Sequence, residues 1–254
     1  MLIQQFIMND IIETKKEDRV LRVWLNRAAH RNLLTAELCR ELVQTLDGAE
    51  KDTSIGSVLL AARGDSFCAG MDLSELATGD IERVSRLQES LFTVGARHAK
   101  PLIGAVQGEA LGGGTGVVAN CHFVVASVNA TFGVTGIRMG LWPFVFFHAV
   151  SAAVGERRAL ALTITGEVLD AAEALRIGLV HEVVRIEEVE PRALKLAHTV
   201  ASYSPSTLRS GLAFVQGVQG QPWKTAASAG RLLRNEFFRS DEFQATLKAL
   251  LNQK

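Results

Sequence analysis

Apolar residues along the chain recur with two periods, and the alternation between them outlines the fold. Val20-Leu21-Arg22-Val23-Trp24-Leu25 is β-branched and loosely alternating, which predicts a strand. Thr35 then offers an N-cap for a helix running to about residue 49, with Leu38, Leu42 and Leu46 on one face. Ser57-Val58-Leu59-Leu60-Ala61-Ala62 is a short buried strand that stops at the turn signal Arg63-Gly64-Asp65. A second helix is predicted over about 81–98, ended by Lys100-Pro101, and Leu102-Ile103-Gly104-Ala105-Val106 is a further buried strand. Three glycines after Leu111 open another helix, followed by strands near 122–126 and 131–134. From Pro143 onward helices dominate. Asp170 caps one that Gly178 ends, 179–184 is a late strand, and breaks fall near Pro205 and Gly220-Gln221-Pro222.

Strands alternating with helices and then helices alone predict an α/β core over 1–190 and a helical region over 191–254. The terminal helices carry Leu232, Leu233, Phe237, Phe238, Leu247, Leu250 and Leu251. Periodicity fits two uses equally: covering the chain's own core, or packing against another subunit.

Composition narrows the class. Of 254 residues, 48% are hydrophobic and 21% charged, which is ordinary globular usage rather than disorder. Lys+Arg and Asp+Glu are 27 each, so the basic excess that nucleic-acid binding draws on is missing. Cys39, Cys68 and Cys121 are far apart, with no metal-ligand spacing. The first residues lack a signal-peptide pattern, and the most apolar stretch, 141–154, is interrupted by His148 and too short to span a bilayer. These features predict a cytoplasmic protein with no metal, no nucleic-acid partner and no membrane.

Two glycine-bearing loops follow buried strands: Gly64-Asp65-Ser66-Phe67-Cys68-Ala69-Gly70-Met71-Asp72-Leu73 and Gly108-Glu109-Ala110-Leu111-Gly112-Gly113-Gly114-Thr115-Gly116. Glycine lets backbone N–H groups approach a ligand, and a helix start leaves such groups unpaired. Each loop alone reads as a turn; side by side they could form an oxyanion hole. Gly114-Thr115-Gly116-Val117-Val118-Ala119 fits a dinucleotide fingerprint, but no Asp or Glu lies between Ala110 and Gly155 to hold a ribose.

With these pieces in order, the chain resembles the crotonase superfamily, the enoyl-CoA hydratase/isomerase group, over nearly its full length. The matching segments are Leu25-Asn26-Arg27 with Arg31-Asn32-Leu33, then Ser66 through Leu73, and Lys100-Pro101-Leu102-Ile103-Gly104-Ala105-Val106-Gln107-Gly108 leading into Ala110-Leu111-Gly112-Gly113-Gly114. Thr131-Phe132-Gly133, Met139-Gly140-Leu141, Leu162-Thr163-Ile164-Thr165-Gly166-Glu167 and Ala174-Leu175-Arg176-Ile177-Gly178-Leu179-Val180 complete the set.

The resemblance implies a spiral of ββα units, a C-terminal helical trimerisation region, and a homotrimer or hexamer. It also implies an acyl-CoA thioester as partner, with coenzyme A as part of the substrate and no separate cofactor. It places the two oxyanion N–H donors on Met71 and Gly113. Ala29, Arg31, Ala69 and Leu73 would hold coenzyme A, with Arg31 near its phosphates, and Gly70, Asp72, Gly112 and Phe144 complete the substrate-binding set.

The chain departs from the family where carboxylates are expected. Gly116 and Gly136 stand at the hydratase glutamate positions, and Phe144 at an acid used by some isomerases and dehalogenases. Glycine supplies no general acid or base. His148, four residues beyond Phe144, would share its face if Pro143 opens the helix, and is one candidate replacement. Glu109 is another, unless it pairs with a neighbouring arginine; Cys68 is expected to be a buried small hydrophobe. Isomerisation, decarboxylation, retro-aldol cleavage and thioester hydrolysis stay open, beside a non-catalytic acyl-CoA binder or oligomeric partner protein.

Overall fold

A computed structural model describes residues 11–75 and 80–252. Among the described residues nine strands form two sheets. The larger contains β1 (Ile12–Glu17), β2 (Val20–Leu25), β3 (Ser57–Ala62), β4 (Leu102–Val106), β6 (Phe123–Ser127) and β9 (Glu182–Val184), in the order β1-β2-β3-β4-β6-β9. Among the described residues of this larger sheet only the β1–β2 hairpin is antiparallel, and the other pairs are parallel. The smaller sheet joins β5 (Glu109–Leu111), β7 (Thr131–Gly133) and β8 (Val168–Asp170).

The predicted strands at Val20–Leu25, Ser57–Ala62 and Leu102–Val106 are present with those bounds. β1 was invisible to hydrophobic periodicity, because Ile-Glu-Thr-Lys-Lys-Glu has one apolar residue and lies at the sheet edge. β5 and β8, three residues each, are too short to carry a period.

Side chains alternate across the large sheet. Val23, Leu25, Val58, Leu60, Leu102 and Val106 join a core with α1 (Ala36–Lys51), α2 (Ile81–Phe92) and α4 (Gly113–Ala119), while α3 (Val94–Arg97) is a single turn. Trp24, Leu59, Ala61, Ile103 and Ala105 face the other way, onto Val189, Ala193, Ala197 and Ala201. Those four lie on one stripe of α8 (Val189–Ala201), and their small side chains let the helix approach the sheet closely. Between them come α5 (Phe147–Val154), α6 (Glu156–Thr165) and α7 (Ala171–Arg176).

Caps follow the sequence. Thr35 Oγ1 accepts the Leu38 N–H at 3.1 Å, Asp80 that of Arg83 at 3.0 Å, and Asp170 that of Glu173 at 2.8 Å. The helix predicted from Pro143 starts later, at Phe147. The Pro143 carbonyl accepts from both Phe146 N–H (3.1 Å) and Phe147 N–H (2.8 Å), which closes a turn, and Phe146 keeps a non-helical backbone.

Contacts divide the chain into two units, one through Arg209 and the other from Ser210 onward. The helix α9 (Pro205–Val218) crosses that boundary. The second unit continues with α10 (Trp223–Arg239) and α11 (Asp241–Leu251), where the Phe238 and Phe243 rings lie 5.2 Å apart. Trp223, Leu232, Leu250 and Leu251 are exposed. Among the described residues no helix is long and apolar enough to cross a membrane.

Candidate active site

The two glycine loops are stitched together by main-chain hydrogen bonds. Cys68 N–H donates to Glu109 O at 2.9 Å, and Leu111 N–H to Cys68 O at 3.0 Å. On its other side the first loop runs along Leu34: Leu34 N–H reaches Gly70 O at 2.8 Å and Asp72 N–H reaches Leu34 O at 3.0 Å. In such a parallel bridge the amides of 70–72 alternate, so Met71 N–H turns away from Leu34.

The second loop is held as tightly. Gly112 N–H donates to Gly133 O at 2.7 Å, and Thr115 Oγ1 donates toward the carbonyls of Ala110 (2.6 Å) and Gly133 (3.0 Å). Gly112 has φ +52° and ψ −117°, a conformation glycine tolerates and L side chains rarely adopt. A Cβ on Gly114 would stand 2.1 Å from Cys68 O, so only glycine lets the loops meet. Gly113 begins α4, where first-turn amides have no intrahelical acceptor. Among the described residues neither Met71 N–H nor Gly113 N–H has a hydrogen-bond acceptor, and both residues line the same cavity of about 760 Å³.

That cavity also takes in Ala69, Gly70, Asp72, Leu73, Gly112 and Phe144 from the sequence-derived set. The others lie outside it. Ala29 is exposed on a 3₁₀ turn, and Arg31 is ion-paired with Glu109 at the surface, so the Glu109 carboxylate is turned to arginine rather than into the cavity. His148 is exposed on α5 and is not part of the lining; the late helix start removes the basis for its shared face with Phe144. Cys68 is fully buried, and burial pushes its thiol up to about 12, which leaves it unreactive.

Asp72 is the single ionisable side chain among the described lining residues. Its carboxylate accepts the Ser74 hydroxyl at 2.6 Å and the Ser74 N–H at 3.2 Å, with Arg27 4.0 Å away. The Ser74 hydroxyl, ahead of the opposing effect of burial, holds it below the usual carboxylate range.

The carboxylate positions implied by resemblance are closed by packing. A Cβ on Gly116 would stand 2.9 Å from Phe146 Cβ and 2.9 Å from Phe92 Cε1, two rings whose centroids are 5.2 Å apart. A Cβ on Gly136 would meet Leu141 O at 2.9 Å. Phe92, Gln88, Ser85 and Thr135, all lining residues, escaped the sequence reading. For α2 the signal existed: 81, 84, 85, 88 and 92 share a helical face.

Residues 15–254 match the enoyl-CoA hydratase/isomerase family. The chain belongs to it. It is 37% identical over 199 residues, 76% of each chain, to a probable enoyl-CoA hydratase of Rhizobium meliloti (strain 1021). It is 35% identical to the 2,3-dehydroadipyl-CoA hydratase of Escherichia coli (strain K12), over 80% of each chain. A solved structure of a putative enoyl-CoA hydratase/isomerase (crotonase) from Legionella pneumophila superposes with a TM-score of 0.89 at 30% identity, covering 96% of this chain and 97% of that one. The crotonase-like α/β fold expected from the sequence is therefore the fold observed.

Proposed function

We propose that the protein binds an acyl-CoA thioester and stabilises the enolate or tetrahedral oxyanion formed from it with the N–H groups of Met71 and Gly113. The observation that carries this reading is that both amides lack an acceptor among the described residues while lining one cavity. Donors fixed by the surrounding hydrogen bonds need little reorganisation as charge develops, and each such donor is typically worth about 3 kcal/mol in the transition state. Family membership supplies the thioester as substrate class.

The reaction we infer is not two-glutamate hydration. Glycines at 116 and 136, with the space beside Gly116 taken by Phe146 and Phe92, leave no carboxylate at those positions. Isomerisation, decarboxylation, retro-aldol cleavage and thioester hydrolysis all pass through a carbonyl oxyanion. The acyl group is uncharged: no Lys, Arg or His is found among the described lining residues, so a carboxylate tail would be desolvated without a counter-ion. We further expect a trimer or hexamer, in which exposed Trp223, Leu232 and Leu250 would become buried.

The test is a panel of CoA thioesters, followed by calorimetry for binding and mass spectrometry for change in the acyl group. Binding of uncharged acyl-CoAs with turnover other than water addition is expected. Binding without turnover of any thioester would favour a non-catalytic binder, which the carboxylate-poor lining also suits. Efficient hydration of crotonyl-CoA would contradict the divergence, and failure to bind any CoA ester would remove the reading altogether.

A further inference from the structure

Helix α2 presents Ile81, Val84, Ser85, Gln88 and Phe92 to the cavity. Gln88 is the polar exception among its deeply placed members. It is only 8% exposed, in the same range as Val84 (6%) and Phe92 (4%). Among the described residues its carboxamide has no hydrogen-bond partner. The amide atoms are nevertheless not sealed in the core: the buried, unpartnered side-chain atoms of the described chain are Arg22 Nε and Thr163 Oγ1. The amide of Gln88 therefore keeps solvent access, on a residue that lines the cavity.

A carboxamide offers two donor hydrogens and an acceptor oxygen. Without an acyl chain beside it, water can serve it. An acyl chain that displaces that water without replacing its hydrogen bonds leaves a buried polar group unpaired, which is unfavourable. Position along the helix says where the partner belongs. Phe92 Cζ lies 3.2 Å from where a Cβ on Gly113 would stand, next to the proposed thioester site. Gln88, four residues earlier, is about 6 Å farther along the helix axis.

We propose that Gln88 is a specificity-determining residue, and that the acyl group it selects carries an uncharged oxygen function, a keto or hydroxyl group, a few carbons from the thioester. The inference rests on the acyl-CoA reading above. A plain aliphatic chain would strand the amide, and no cation is present in the described lining to pair a carboxylate. An uncharged oxygen satisfies both conditions.

The experiment compares hexanoyl-CoA with 4-oxohexanoyl-CoA and 5-oxohexanoyl-CoA, which differ only by a ketone for a methylene, on the wild type and on Gln88→Met. The wild type should bind at least one ketone about 10-fold or more tightly than hexanoyl-CoA. Gln88→Met should erase that preference without lowering the thermal midpoint, since the amide has no protein partner to lose. Gln88→Glu, whose carboxylate repels a ketone oxygen, should bind the ketones more weakly than hexanoyl-CoA and serves if the Met variant fails to fold. Equal affinities in the wild type, or a preference that survives in the variants, would overturn the inference while leaving the acyl-CoA reading intact. Absence of binding by every ester would end both.

Discussion

Gly113 and Gly116 lie one turn apart on the same short helix and a Cβ on either would press on Phe92, yet of the two only Gly113 lines the cavity. At Gly113 the residue lines the cavity and its backbone N–H has no acceptor among the described residues. At Gly116 the missing side chain is replaced by two aromatic rings from elsewhere in the chain. The first is a site built from main chain, where residue identity matters through what it permits. The second is a site defined by packing, where Phe146 and Phe92 decide what fits. On the proposed reading, oxyanion stabilisation and acid–base chemistry can be separated, because the first is encoded in main-chain atoms and the second in side chains.

The largest expected effect comes from removing an amide. Proline is tolerated at the first position of a helix, and the nearest atom to a Cβ at 113 is Leu34 Cδ1, the tip of a flexible side chain, at 2.8 Å. Gly113→Pro should therefore fold. It should lower turnover of whichever thioester is processed by about 100-fold or more, while CoA-ester binding, measured by calorimetry, largely persists. Unchanged turnover would erase the contrast between the two glycines.

Gly116→Glu should do the reverse and act on the fold. Overpacking against Phe146 and Phe92, plus an unpaired carboxylate in an apolar setting, should cost about 3 kcal/mol or more in chemical denaturation. Phe146→Ala in the same background should recover part of that loss, a coupling that adjacent side chains show and distant ones do not. A stable Gly116→Glu single variant would mean that the rings do not fill the space as described.

A pH titration sharpens the division between cavity and core. His122 Nδ1 accepts the Leu102 N–H at 2.9 Å. Burial, with a smaller push from His98, lowers its pKa from 6.5 to about 4. Below 6.5 the unfolded chain takes a proton that the folded chain refuses until about pH 4. Stability from this group is therefore complete above 6.5 and falls by about 3 kcal/mol as pH drops through that window. His122→Gln should flatten that slope in denaturation curves taken at successive pH values. Turnover per folded molecule should stay level across the neutral range, because backbone amides do not titrate and Asp72 is already held ionised.

Much of this was legible in the sequence because it is carried by local patterns. Val20–Leu25, Ser57–Ala62 and Leu102–Val106 announce themselves as strands, and Thr35 and Asp170 as caps, through residues adjacent in the chain. The glycine loops were visible for the same reason, whereas the choice of Met71 and Gly113 as donors came from the family resemblance. What stayed hidden depends on distant packing. Nothing near Gly116 in the sequence says that Phe146 lies against it, and Gln88 looks like any surface glutamine until its helix face is known. His148 misled for a related reason: its orientation hung on a helix start that shifted from Pro143 to Phe147.

Vibrational spectroscopy of a bound thioester reaches the central claim most directly. With isotope-labelled hexanoyl-CoA, the carbonyl stretch should move to lower frequency on binding the wild-type protein, and much of that shift should vanish in Gly113→Pro. A carbonyl that keeps its solution frequency in the wild-type complex would contradict the convergence of the two amides on one oxygen.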